Sequence, residues 1–94
     1  MFVLVLTYTK PLDEVDALMR DHMAWLNAGY RDGHFVVSGR QIPRTGGVIL
    51  ARGDDRDAIE ALAAEDPFVR GGVASVQVIQ FRASQTADGF EAFK

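Results

Sequence analysis

Histidine is the side chain that most readily gains or loses a proton near neutral pH, and this chain has two, His22 and His34. His22 stands inside a helical pattern made by Val15, Leu18, Met19, Trp25 and Leu26. With Val15 at 0° and a step of about 100° per residue, Leu26 falls at about 20°, Met19 at about 40°, Leu18 at about 300° and His22 at about 340°. The imidazole therefore points with the apolar stripe, at the core or at a pocket beside it. Tied to a backbone carbonyl it would be a structural histidine, because buried polar groups find a partner. Tied to a carboxylate it would be a general acid or base.

Asp66 is the carboxylate placed to meet it. In the second helical pattern, with Ile59 at 0°, Asp66 also falls at about 340°. Its plain role is to end a helix through an Asx-Pro turn with Pro67. A carboxylate is nonetheless poorly suited to the negative end of a helix dipole, which favours a cationic group nearby. Bonded to one imidazole nitrogen, it would fix the tautomer and leave the other nitrogen to take or give a proton.

The elements that must position these two residues follow from the rest of the pattern. Residues 2–9 form a continuous apolar and aromatic strand, a signature of a strand covered on both faces. Residues 13–29 read as one helix, with Asp13 and Glu14 in the first turn and Gly29 as its stop. A strand over 34–38 follows the Asp32-Gly33 turn, and a loop over 39–47 leads to a strand over 48–52. A second helix spans about 55–65, capped by Asp54, Asp55 or Asp57, and Pro67 disfavours helix at Asp66. Residues 68–72 read as a turn, 74–82 as the last strand, and 83–94 as a polar tail carrying Phe90 and Phe93. The expected organisation is one domain over 1–82 plus that tail, which should dock on its own subunit or a partner.

The order βαββαβ predicts an α+β ferredoxin-like unit, with an antiparallel sheet of order 4-1-3-2 and the helices on one face. The other face is apolar, which predicts a homodimer packed sheet to sheet as a dimeric α/β barrel. In this topology the second helix ends where strand two ends and strand three begins. That edge collects Tyr8, Ser38, Gly39, Arg40, Thr45 and Asp66, with His22 some turns below it.

Composition narrows the functional classes. The 94 residues are 48% hydrophobic, with 10 Lys and Arg against 13 Asp and Glu, a formal charge of −3. This suits one small domain and argues against a nucleic-acid binder, since there is no basic run. There is no cysteine, so no disulfide, thiolate metal site or Cys nucleophile is available. The apolar run Phe2 to Leu6 is far below the ~20 residues of a membrane span. No basic region or cleavage site precedes it, so no signal peptide is read and the cytoplasm is the expected compartment. No His-Glu-x-x-His or comparable spacing suggests a metal, and no cofactor motif is present; Gly46-Gly47 lacks the strand–loop–helix context of a phosphate cradle.

The chain resembles the YCII-related family of small dimeric α/β proteins. The matching pieces are Arg20-Asp21-His22-Met23-Ala24-Trp25-Leu26, Gly33-His34-Phe35-Val36-Val37-Ser38-Gly39, Gly46-Gly47-Val48-Ile49-Leu50, and Asp66-Pro67-Phe68-Val69 with Gly72. The resemblance covers roughly residues 1–82. It implies a ferredoxin-like unit dimerising through its sheet, with an active site centred on His22 and Asp66 and lined by Ser38 and Gly39. One branch of the family is linked to dehydrochlorination of chlorinated hydroxyquinols. Relatives often carry proline where Arg40 stands here; a guanidinium there favours an anionic or phenolate ligand.

Two functions are therefore expected. In the first, a small enzyme without cofactor uses His22, oriented by Asp66, for elimination or isomerisation, with Ser38 and backbone N–H groups near Gly39 holding an oxygen and Arg40 attracting negative charge. In the second, a homodimeric module binds a small ligand or plays a regulatory part without converting anything.

Overall fold

The apolar run at the start of the chain becomes the inner strand β1 (Phe2–Tyr8) of the computed structural model, which describes residues 1–94. After it come α1 (Leu12–Ala17), α2 (Met19–Arg31), β2 (Phe35–Arg40), β3 (Gly46–Ala51), α3 (Arg56–Ala64), α4 (Pro67–Arg70), β4 (Ala74–Gln80) and a 3-10 turn at Glu91–Phe93. The sheet order is β2-β3-β1-β4, with every neighbouring pair antiparallel. This is the ferredoxin-like α+β fold expected, its order being 4-1-3-2 read from the other edge.

Alternation along β1 decides what packs where. Phe2, Leu4 and Leu6 face the helices and are buried with Phe35, Ile49, Ala51, Ile59 and Ala63 in the main core. Full burial of one such large side chain contributes about 1.5–3 kcal/mol. The intervening positions Val3 and Val5 lie on the opposite face, beside Leu50 and Val48 of β3. Val37, Val48 and Ile79 are 57%, 38% and 42% exposed there. Within one chain, β1 is thus covered on one face only.

Several boundaries differ from the sequence reading, each for a local reason. The first helix is two, divided at Leu18 (φ −105°, ψ 5°), whose amide reaches back only to the Val15 carbonyl, 3.0 Å away. The Leu18 side chain lies against the bare Cα of Gly71, a contact between segments that helical periodicity does not see. Gly29 does not stop the helix. It is buried where the Phe35 ring would collide with any Cβ, and the chain turns instead at Gly33, with φ +81°. The loop expected over 39–47 shrinks to 41–45, because Gly39 and Arg40 pair with Val48 and Gly47 despite poor strand propensity. Residues expected as a plain turn after Asp66 form the one-turn helix α4. β4 stops at Gln80, two residues before the expected end.

The tail comes back onto its own chain. The Arg52 guanidinium lies over the Phe93 ring at 4.8 Å, and Phe93 stacks with Phe90 at 6.1 Å.

Candidate functional site

Asp66 begins α4 as its N-cap, and Pro67 occupies the first turn, a pairing suited to a helix start. Its Oδ1 accepts the Phe68 amide at 3.0 Å. The same Oδ1 lies 2.8 Å from Nδ1 of His22, which arrives from α2. The side chains are 13% exposed for His22 and 1% for Asp66. An ionised carboxylate only accepts, so Nδ1 carries the proton that it donates to Asp66. Nε2 is left with no protein partner. Hydrogen bonds to charged groups contribute about 1.5–3 kcal/mol each, so this one contact both anchors α2 to α4 and sets the tautomer. The awkward helix-end carboxylate of the sequence reading is in fact a helix-start cap, on the favourable side of a dipole.

The imidazole is held by rings as well. Phe68 stacks on it with centroids 3.9 Å apart and planes 5° from parallel. Trp25 lies at 5.7 Å and donates its Nε1–H to the Leu62 carbonyl at 3.2 Å, tying α2 to α3. Asp66 Oδ2, by contrast, is buried without a hydrogen-bond partner.

Beside His22 lies a cavity of about 260 Å³ between α2 and the end of the sheet. Its floor is Gly46 and Gly47 of β3. Gly46 must be bare, since a Cβ there would run into the Leu6 carbonyl. Gly47 pairs with Leu6 and Arg40, whose side chains are on the helix-facing side, so a side chain at Gly47 would enter the cavity, with its Cβ 3.2 Å from the Gly39 carbonyl. Apolar walls come from Leu6, Met19, Met23, Leu26 and Phe68. Polar groups come from Tyr8, Ser38 and Arg40, with the backbone of Gly39 alongside. Of the residues expected at this edge, Tyr8, His22, Ser38, Gly39 and Arg40 line the cavity; Asp66 stands behind His22, and the Thr45 hydroxyl turns into its own loop, 3.4 Å from the Pro43 carbonyl.

Arg40 is the one arginine that lines the cavity. Arg44, in the β2–β3 loop, reaches Asp16 of α1 at 2.6 Å and lies over the Tyr8 ring at 5.7 Å. The Arg44 hydrogen bond holds the Asp16 carboxyl below its usual range. In return Asp16, and after it Tyr8, push Arg44 further up. This pair straps the β2–β3 loop to the helix layer, with Arg44 over Tyr8 of the cavity lining. His34 lies elsewhere, at a separate hollow of about 200 Å³ with Arg52, Asp54 and Asp55. Nowhere do three His, Cys, Asp or Glu come together as metal ligands. No helix is long and apolar enough to cross a membrane.

Sequence reasoning missed Phe68 and Tyr30. Asp66-Pro67 is an N-cap followed by a first-turn proline, a helix-start signal that would have placed Phe68 in a first helical turn beside Asp66. Tyr30 falls at about 60° on the Val15 wheel, at the edge of the apolar stripe. Its hydroxyl lies 2.6 Å from Ser38 Oγ.

Comparison with known proteins adds the following. The family model of the YCII-related domain matches residues 1–82. No curated protein sequence matches. Among solved structures, the chain is similar to the 5-chloro-2-hydroxyhydroquinone dehydrochlorinase of Burkholderia phenoliruptrix AC1100, in complex with 2,5-dihydroxybenzoquinone. The TM-score is 0.71 at 18% identity, over 86% of this chain and 93% of that one. At that identity the likeness is one of fold.

Proposed function

The chain belongs to the YCII-related family, and on that premise we propose that it is a small cofactor-independent enzyme in which His22 and Asp66 transfer a proton on a small anionic or phenolic molecule. The observation that carries this reading is the 2.8 Å contact between His22 Nδ1 and Asp66 Oδ1, which leaves Nε2 free beside the cavity. Nε2 takes a proton from a carbon or hydroxyl of the ligand. The electron pair released forms a new double bond. In an elimination a leaving group departs with its own pair; in an isomerisation the proton returns to a different atom. Asp66 does not accept the proton; it holds the ring and balances the imidazolium that forms. Ser38 and the backbone near Gly39 hold the ligand oxygen, Arg40 supplies positive charge, and Tyr8 borders the same space. The dehydrochlorinase of similar fold was solved with a dihydroxylated benzoquinone, and rings of that class suit a cavity with apolar walls and polar groups from Tyr8, Ser38 and Arg40.

The test is a turnover screen of hydroxylated, halogenated and enol-type rings, with 2,5-dihydroxybenzoquinone as the first binding probe. His22→Ala and Asp66→Asn should stay folded and lose roughly 100-fold or more in turnover. Conversion by His22→Ala at the original rate would end the proton-transfer reading. Binding without conversion, indifferent to His22→Gln, would favour the non-catalytic ligand-binding or regulatory module instead.

The open sheet face supports a homodimer in the same proposal. Val3, Val5, Val37, Val48, Leu50 and Ile79 make it apolar, and a second copy laid sheet to sheet would cover it. Sedimentation should give twice the chain mass, and Val5→Lys should return it to a monomer.

A further inference from the structure

We infer that Tyr30 is a positioning residue: through the Tyr30–Ser38 hydroxyl contact it aims the Ser38 proton into the cavity, so that the site binds its ligand through an oxyanion, a phenolate or enolate oxygen. This rests on the cavity beside His22 being the binding site, as proposed above.

The two hydroxyls are 2.6 Å apart, short for an O–H···O bond. Each carries one proton, and only one of the two can lie between them. A phenolic O–H is a stronger donor than an aliphatic one, so Tyr30 donates and Ser38 Oγ accepts. Ser38 then has its own proton to give elsewhere. Ser38 lines the cavity, whereas Tyr30 does not, so the free proton belongs to a ligand. Accepting from Tyr30 makes Ser38 a better donor, because hydrogen bonds in a chain polarise one another.

The supports of this relay are rigid. Tyr30 sits in the last turn of α2, its ring edge-on to the buried Phe35 at 5.9 Å and 83°. Ser38 is held in the β2–β3 ladder opposite Ile49. Two residues along the same strand, Arg40 projects from the same face and lines the same cavity. A preorganised hydroxyl donor beside a guanidinium fits an anionic oxygen better than a neutral carbonyl, since both gain most where charge is greatest. His22 enters from the helix layer, so the oxyanion lies on the sheet side and the atom that exchanges a proton on the other.

The experiment uses 4-nitrophenol, whose colour distinguishes its ionised from its neutral form. The intact protein should bind the phenolate and raise the ionised fraction of bound probe above that in solution. Tyr30→Phe, which keeps the ring against Phe35, should weaken phenolate binding roughly three- to tenfold and lower the bound ionised fraction. Ser38→Ala should weaken it by about tenfold or more. The double variant should bind no more weakly than Ser38→Ala, because Tyr30 acts only through Ser38. A Tyr30→Phe effect that persists in full without Ser38, or an unchanged ionised fraction in Tyr30→Phe, overturns this inference and leaves the dyad standing. Absence of phenolate binding to the intact protein overturns it together with the binding site on which it rests.

Discussion

At the Phe2 end of β1 large side chains pack between sheet and helices, with only the hollow of about 200 Å³ beside His34 and Arg52, and at the Tyr8 end lies the larger cavity of about 260 Å³, although the same strands run through both. At the closed end Phe2 and Ala51 stand opposite each other, and Phe35 and Ile59 pack into the same core. At the hollow end the β3 partners of Thr7 and Leu6 are Gly46 and Gly47. No inserted loop builds the cavity; it is made by leaving side chains out of one strand. The polar groups divide in the same way. Asp66, with one oxygen unpartnered, is the only buried charged residue of the chain, and it stands at the hollow end. The closed end supplies stability, and the hollow end gives some up in order to hold a histidine, a hydroxyl and a guanidinium around a void.

Substitutions can break this contrast, beginning with the largest effect. Phe2→Ala at the closed end should destabilise by about 3–5 kcal/mol in urea unfolding; a loss below about 1 kcal/mol would show that this end is not the anchor. Gly46→Ala at the boundary forces a Cβ against the Leu6 carbonyl, which only backbone movement relieves, and should cost about 1–3 kcal/mol. Gly47→Val, one residue along, brings a Cβ to 3.2 Å from the Gly39 carbonyl, which a shift of a few tenths of an ångström relieves, so it should cost less than Gly46→Ala, about 1 kcal/mol. Its new side chain enters the cavity, and binding of a ring-sized probe should fall by about tenfold or more. A Gly47→Val protein that binds normally would mean that the ligand does not rest on β3.

The smallest effect sharpens the contrast through pH. Asp16 is held below the ordinary Asp value of roughly 3.9 by Arg44. A carboxylate lowered on folding contributes stability that is present above its unfolded value and is lost as pH falls through the folded one. Urea midpoints of the parent should therefore drop more than those of Asp16→Asn as pH falls below about 4. The pair is on the surface, so the difference should be small and should shrink in high salt. Equal acid sensitivity in the two proteins would show that the Asp16–Arg44 pair does not stabilise the fold.

Much of this arrangement is legible in residue order. A continuous apolar first strand, two amphipathic helices and the βαββαβ order lead to the sheet that is found. The wheel angles of His22 and Asp66 lead to their inward direction. Angle alone does not give depth along a helix axis, however, and the 2.8 Å contact depends on how α2 sits against α4. Leu18 and Gly29 were misread for a related reason. Each answers to a neighbour distant in sequence, Gly71 in one case and Phe35 in the other, and local periodicity contains neither. Tyr30 escaped because its partner Ser38 belongs to a strand whose bulge between Phe35 and Val37 shifts the pairing register.

One oxygen, Asp66 Oδ1, accepts from His22 Nδ1 and from the Phe68 amide together. Whatever draws on that oxygen from the imidazole side alters what is left for the amide. The Phe68 N–H is therefore a gauge wired to the dyad. Its resonance and its exchange rate should report each change of protonation or occupancy at His22, in solution, with no chromophore and no turnover required.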